Sequence, residues 1–132
     1  MKKSLSIILI GLAAVVLTAF MPAGKTVTKE GDMTVVNTTE IGKDIEGFNG
    51  ATPVRIYIRK NKIVKIEALP NQETPQYFGL AKTLLKKFAG KNVSKARQMK
   101  VDGITGATYS SDALLENVSR GLKYYEGLGR KK

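Results

Sequence analysis

The sequence contains no cysteine and no histidine. Without cysteine there is no disulfide, no thiolate nucleophile, no cysteine-held iron–sulfur cluster and no lipidated cysteine. Zinc sites lean on Cys and His, and haem on an axial His, Met or Cys, so composition disfavours both. A Ser-His-Asp triad is excluded outright. Acidic residues are also scarce: 11 Asp+Glu stand against 22 Lys+Arg, a formal charge of +11. Such an excess invites a nucleic-acid reading. The alternatives are a solvated basic surface, or one that meets anionic lipid or an acidic redox partner.

The N-terminus argues against nucleic acid. Lys2 and Lys3 precede an apolar run from Leu5 to Met21, interrupted only by small or weakly polar residues such as Ser6, Gly11 and Thr18. These are the n- and h-regions of a secretory signal, over 1–24. Cleavage after Ala19 or Ala23 would leave a large residue, Leu17 or Met21, at the −3 position. The run is at the lower limit for spanning a bilayer, so an uncleaved signal anchor is the alternative, with membrane association. Either way the positive end stays inside and the rest is expected outside the cytoplasm, in the periplasm or on the outer face of the membrane.

A chain of 132 residues then leaves one modest domain. Residues 25–32 look like a polar linker and Met33–Val36 like a short strand. In 53–60, Val54, Ile56 and Ile58 share one face and Arg55, Tyr57 and Arg59 the other. Asn61 marks a tight turn, and 62–69 alternates again with Val64, Ile66 and Ala68 on one face, so the two runs predict a β-hairpin. Thr74 and Pro75 can open a helix, with Thr74 as its cap, that carries Phe78, Ala81, Leu84, Leu85 and Phe88 at helical spacing and stops at Gly90. Residues 96–101 fit another strand. A second helix holds Leu114, Leu115, Val118, Leu122 and Tyr125 at core spacing, with Gly127 and Gly129 as its end and 130–132 as a basic tail. The fold class expected is α+β, a small antiparallel sheet packed against two helices, with the domain over 33–129. No internal repeat is present.

Before that helix lies Asp102-Gly103-Ile104-Thr105-Gly106-Ala107-Thr108-Tyr109-Ser110-Ser111. Gly106 opens backbone angles closed to other residues, and Ala107 adds almost no bulk, so Thr108 is presented to an approaching group. The hydroxyls of Ser110 and Ser111 follow beside the unpaired N–H groups of a helix start, a setting suited to an anion such as phosphate. Local pattern alone favours an ordinary capped helix start and identifies no flavin.

The segment Asp102–Thr108 resembles the complete flavinylation motif of the FMN-binding domain family. That family includes the covalent-flavin subunits of Rnf-type complexes and of the sodium-pumping NADH:quinone oxidoreductase. The resemblance runs over roughly 47–126, through Gly47-Phe48-Asn49-Gly50, Lys62-Ile63-Val64 and Glu73-Thr74-Pro75. It implies FMN joined by a phosphoester to Thr108, with Asp102, Thr105, Gly106 and Ala107 completing the recognition sequence for a magnesium-dependent flavin transferase that uses FAD. The larger subunits often continue the Glu-Thr loop with small glycine-bearing residues. Here Gln76-Tyr77-Phe78 follows, which fits a short stand-alone member.

On that resemblance Ser110 and Ser111 would hold the phosphate, and the ring would lie toward Glu73 and Thr74. Phe48, Tyr77, Phe78 and Tyr109 are candidate ring partners, Tyr109 foremost because it adjoins Thr108, although core packing is the default for each. No catalytic residue or metal ligand stands out, and Asp44 and Glu46 read as a solvated pair. The function expected is an exported carrier between a redox donor and acceptor that the sequence does not name. The alternatives are a flavin-dependent extracytoplasmic reductase, and a sensing or scaffold domain of the same fold without flavin.

Overall fold

The computed structural model describes residues 25–130. The signal segment over 1–24, and Lys131 and Lys132 of the basic tail, lie outside the described residues. Four strands form one antiparallel meander in the order β1 (Val27–Glu30), β2 (Met33–Asn37), β3 (Val54–Arg59) and β4 (Lys62–Ala68). Three α-helices follow: α1 (Pro75–Lys82), continued by a 3₁₀ turn over Thr83–Phe88, then α2 (Val93–Gln98) and α3 (Thr108–Arg130). The α+β expectation holds, with one helix more than the sequence suggested and four strands as expected, though not the same four.

The β3–β4 hairpin turns through Lys60 and Asn61, both at positive φ (50° and 63°), the two-residue geometry that matches strand twist. Val54, Ile56 and Ile58 face the core as expected. The second strand departs from expectation. Tyr57 pairs with Lys65 but Ile58 pairs with Ile63, so Val64 is an extra, bulged residue. The bulge resets the alternation: Ile63 is buried with Ile66 and Ala68 on the core side, and Val64 is 37% exposed. On the far face Tyr57 is covered by Lys65, whose Nζ lies 4.7 Å from the ring centroid, and its hydroxyl donates to Glu67 at 3.0 Å.

Three further expectations are corrected. Residues 25–32 are no linker: Val27–Glu30 pairs with β2 as an edge strand. Residues 96–101 are no strand. Asn92 caps a helix there, its Oδ1 accepting the Ser94 N–H at 3.0 Å, and only Met99 onward is extended. Gly127 and Gly129 do not end α3, which runs through Arg130. Each glycine disfavours helix by about 1 kcal/mol. Tertiary contacts hold the helix just before them: Arg97 pairs with Glu126 at 2.6 Å and the Tyr125 hydroxyl donates to Asn61 at 2.7 Å.

The core lies between the sheet and the helices. Leu114, Val118 and Leu122 of α3, with Phe78, Ala81, Leu85 and Phe88, cover Val36, Val54, Ile56 and Ile58. Each fully buried aliphatic side chain contributes about 1.5–3 kcal/mol. This layer fixes where α3 begins, and the site is built around that beginning.

Candidate functional site

A tight loop leaves the sheet between β2 and β3. Glu46 bridges Ala51, and the Gly47 N–H donates to the Gly50 carbonyl at 2.7 Å. Its tip, Phe48 and Asn49, turns two backbone N–H groups toward Glu73, at 2.9 and 2.5 Å. Glu73 sits in the loop before α1, where Asn71 Oδ1 accepts its N–H at 2.9 Å in an Asx turn. Its carboxylate is buried and takes a third donor, the hydroxyl of Ser110, at 2.5 Å. A side chain at Gly47 would place Cβ 2.6 Å from Glu73 Oε1, so this approach requires glycine.

The first turn of α3 is prepared by its own preceding turn. The Ala107 N–H donates to the Ile104 carbonyl at 2.9 Å, with Gly106 between them at φ +91°. That angle is closed to most side chains, and nothing lies within 4 Å of where a Cβ would stand, so the requirement is conformational. Ser111 Oγ accepts the Ile104 N–H at 3.1 Å and locks the turn onto the helix.

The hydroxyls of this segment therefore differ in state. Ser110 and Ser111 are buried and engaged with Glu73 and Ile104, Ser110 as a donor and Ser111 as an acceptor. Thr108, the first residue of α3, is exposed, and no described residue bonds its hydroxyl. The N–H groups of Thr108, Tyr109 and Ser110 also have no acceptor among the described residues. The helix carries no acid in its own first turn, and the carboxylate that meets this positive end is that of Glu73, through Ser110. Thr105 and Asp102 are exposed on the approach to the turn, and Ala107 is buried beneath it.

Phe48 and Tyr109 meet above this helix end, with ring centroids 6.0 Å apart and planes inclined by 36°. They are 69% and 67% exposed, which overturns core packing for both. Tyr77 is also exposed, on α1, whereas Phe78 belongs to the core. Thr74 occupies the N-cap position of α1 without a side-chain capping bond; its hydroxyl accepts from Asn49 Nδ2 at 3.4 Å. Asp44 pairs with Arg120 at 2.6 Å, away from the site.

The structure thus gathers the 47–50 loop, Glu73, Thr74 and the 104–111 segment at one end of the domain. Glu73 is a clasp turned inward, a role sequence reasoning did not give it. Asn49 and Asn71 were missed, although Asn beside Gly or two residues before an N–H to be held is a turn signal. A hollow of about 790 Å³ lined by Asn61, Asn92 and Tyr125 lies toward the other end of α3 and contains none of these residues.

No curated protein matches the chain. The sequence model of a family described as FMN-binding domain matches residues 47–123, from the Gly47 loop into α3. That span is more than half of the chain and encloses every element of the site, so the chain belongs to the FMN-binding domain family.

Proposed function

We propose that the chain is an exported electron-transfer flavoprotein in which FMN is joined through its phosphate to Oγ1 of Thr108. The residues present fit such a group. Three N–H groups without acceptors at the start of α3 suit a phosphate, and the exposed faces of Phe48 and Tyr109 suit a planar aromatic ring. The observation that carries the reading is the contrast between hydroxyls. Thr108 is exposed and free among the described residues, while Ser110 and Ser111 are buried and bonded.

In the attachment step a flavin transferase joins Thr108 Oγ1 to the FMN phosphorus of FAD. The pyrophosphate bond breaks, AMP leaves, and the hydroxyl proton passes to the transferase or to water. Bound FMN would supply one- and two-electron redox chemistry. The chain's part is to hold and orient. Helix N–H groups would hold the phosphate, Gly106 keeps the turn open, and Glu73 fixes Phe48 and the first turn of α3 relative to each other. Lys2, Lys3 and the apolar run to Met21 support export, where a tether prevents loss of a cofactor by diffusion. Among the described residues no candidate group for activating a separate substrate lies at the site, which favours a carrier over a reductase.

The test is a denaturing gel of the chain co-expressed with a flavin transferase. A fluorescent flavin band should travel with the polypeptide. A dark band from a host that flavinylates a control protein would refute the covalent reading.

A further inference from the structure

Positive charge is unevenly placed on this domain. Every charged residue between Glu73 and Asp102 is Lys or Arg. Arg55, Arg59, Lys65 and Arg120, on the sheet and α3, each pair with a carboxylate. The lysines around the Gly90 turn do not. The Gly90 N–H donates to the Ile63 carbonyl at 2.7 Å, the Ile63 N–H returns to Lys91 at 2.9 Å, and Lys62 bridges Asn92. These bonds bring Lys62, Lys86, Lys87, Lys91 and Lys95 around one turn. All five are exposed, and among the described residues none forms an ion pair. Lys91 immediately precedes the cap of α2, whose first turn has no acid, a place where positive charge is disfavoured. Local stability does not explain the cluster.

We propose that this cluster is a docking surface for a bilayer containing anionic phospholipid. Its position supports this occupant. Asn61, beside Lys62, accepts from Tyr125, which lies 17 residues into α3 from Thr108. At the rise of an α-helix that is about 25 Å from the site. A redox partner must approach the flavin end, whereas an anionic surface can hold the opposite end and leave Thr108 facing away. The composition agrees. Protein interfaces are depleted in Lys and anchored by aromatic residues, yet the exposed aromatics, Phe48, Tyr77, Tyr109 and Tyr124, all lie outside the cluster. Flexible ammonium groups, each contributing about a factor of five near an anionic membrane, suit a diffuse field of headgroup phosphates.

The orientation argument rests on the proposed flavin site, but the test needs no flavin and uses the full chain with two sets of vesicles. One is phosphatidylcholine alone; the other contains equal parts of phosphatidylcholine and phosphatidylglycerol. The ratio of the two partition coefficients removes any contribution of the apolar N-terminal run. The ratio should be large for the unaltered chain, fall steeply with salt, and drop on the order of a hundredfold in Lys86→Gln/Lys87→Gln/Lys91→Gln. Lys25→Gln/Lys43→Gln/Lys123→Gln removes equal charge elsewhere and should lower it much less. Equal partition into both vesicles overturns the proposal and leaves the lysines to an acidic protein. Equal loss in the two triple variants overturns it in favour of a net-charge effect.

Discussion

The hydroxyl of Ser110 donates to the carboxylate of Glu73 at 2.5 Å across 37 residues of sequence, joining the first turn of α3 to the loop before α1. The same carboxylate takes the amides of Phe48 and Asn49, so three segments converge on one buried group that has no ion-pair partner among the described residues. Glu73→Ala leaves three donors unpaired. The expected cost is about 3 kcal/mol, seen as a fall in thermal midpoint of roughly 10–20 °C for a domain of this size. The chain has no tryptophan, so near-ultraviolet circular dichroism reports on tyrosine and phenylalanine, and loosening of Tyr109 from Phe48 should weaken that signal. An unchanged melt and an unchanged tyrosine signal would show that the clasp holds nothing.

A second buried polar contact lies midway along α3. Asn117 is fully buried, and its Nδ2 donates to Thr52 Oγ1 at 3.2 Å and to the Ala113 carbonyl at 3.1 Å. Its Oδ1 has no hydrogen-bond partner among the described residues and faces Gly42, where a Cβ would stand 2.1 Å away. Gly42→Ala should cost about 3 kcal/mol through this clash. In an Asn117→Ala background the same substitution should cost less by 1 kcal/mol or more, as expected of residues in contact. Denaturant melts of the four proteins measure the coupling, and strict additivity would deny the contact.

Gly106 offers a different test, because its requirement is backbone angle alone. Gly106→Ala meets no neighbour but must adopt φ near +91°, at a cost of about 1–2 kcal/mol. The turn can relax to avoid it, which would move Thr108. Flavinylation yield should therefore fall more than stability does. A full yield with an intact melt would show that the angle is not needed.

Acid sensitivity follows from three carboxylates. Asp32 is held below its ordinary pKa by its hydrogen bond from Arg59, and Asp44 by that from Arg120. Burial pushes Glu67 up, but the Tyr57 hydroxyl and the charges of Lys65 and Arg55 outweigh it and hold it low. A lowered folded-state pKa gives stability that is present above the unfolded value, about 4, and is lost as pH falls through the folded value. The thermal midpoint should be flat from neutrality to about pH 5 and decline below about pH 4. Glu67→Gln should flatten part of that decline, and a midpoint that rises on acidification would contradict these pairings.

What the sequence disclosed, and what it hid, follows physical lines. Strict alternation at Val54, Ile56 and Ile58 announced β3, and helical spacing from Leu114 to Leu122 announced α3, because both patterns are local. The bulge at Val64 was hidden, since it depends on which residue of β3 stands opposite. The edge strand over 27–30 was hidden because Lys29 and Glu30 are exposed there and backbone pairing, not burial, defines it. At the site, Gly106 and Thr108 were legible as residues. The inward turn of Ser110 and Ser111 was not, because their partners, Glu73 and Ile104, are set by tertiary packing and by the turn.

The most direct test of the central claim is the intact mass of the chain after co-expression with a flavin transferase, compared with Thr108→Ala. Attachment through the phosphate predicts a gain of about 438 Da, FMN less water, on the unaltered chain, and none on the variant. No gain on the unaltered chain, or an equal gain on Thr108→Ala, would contradict the account.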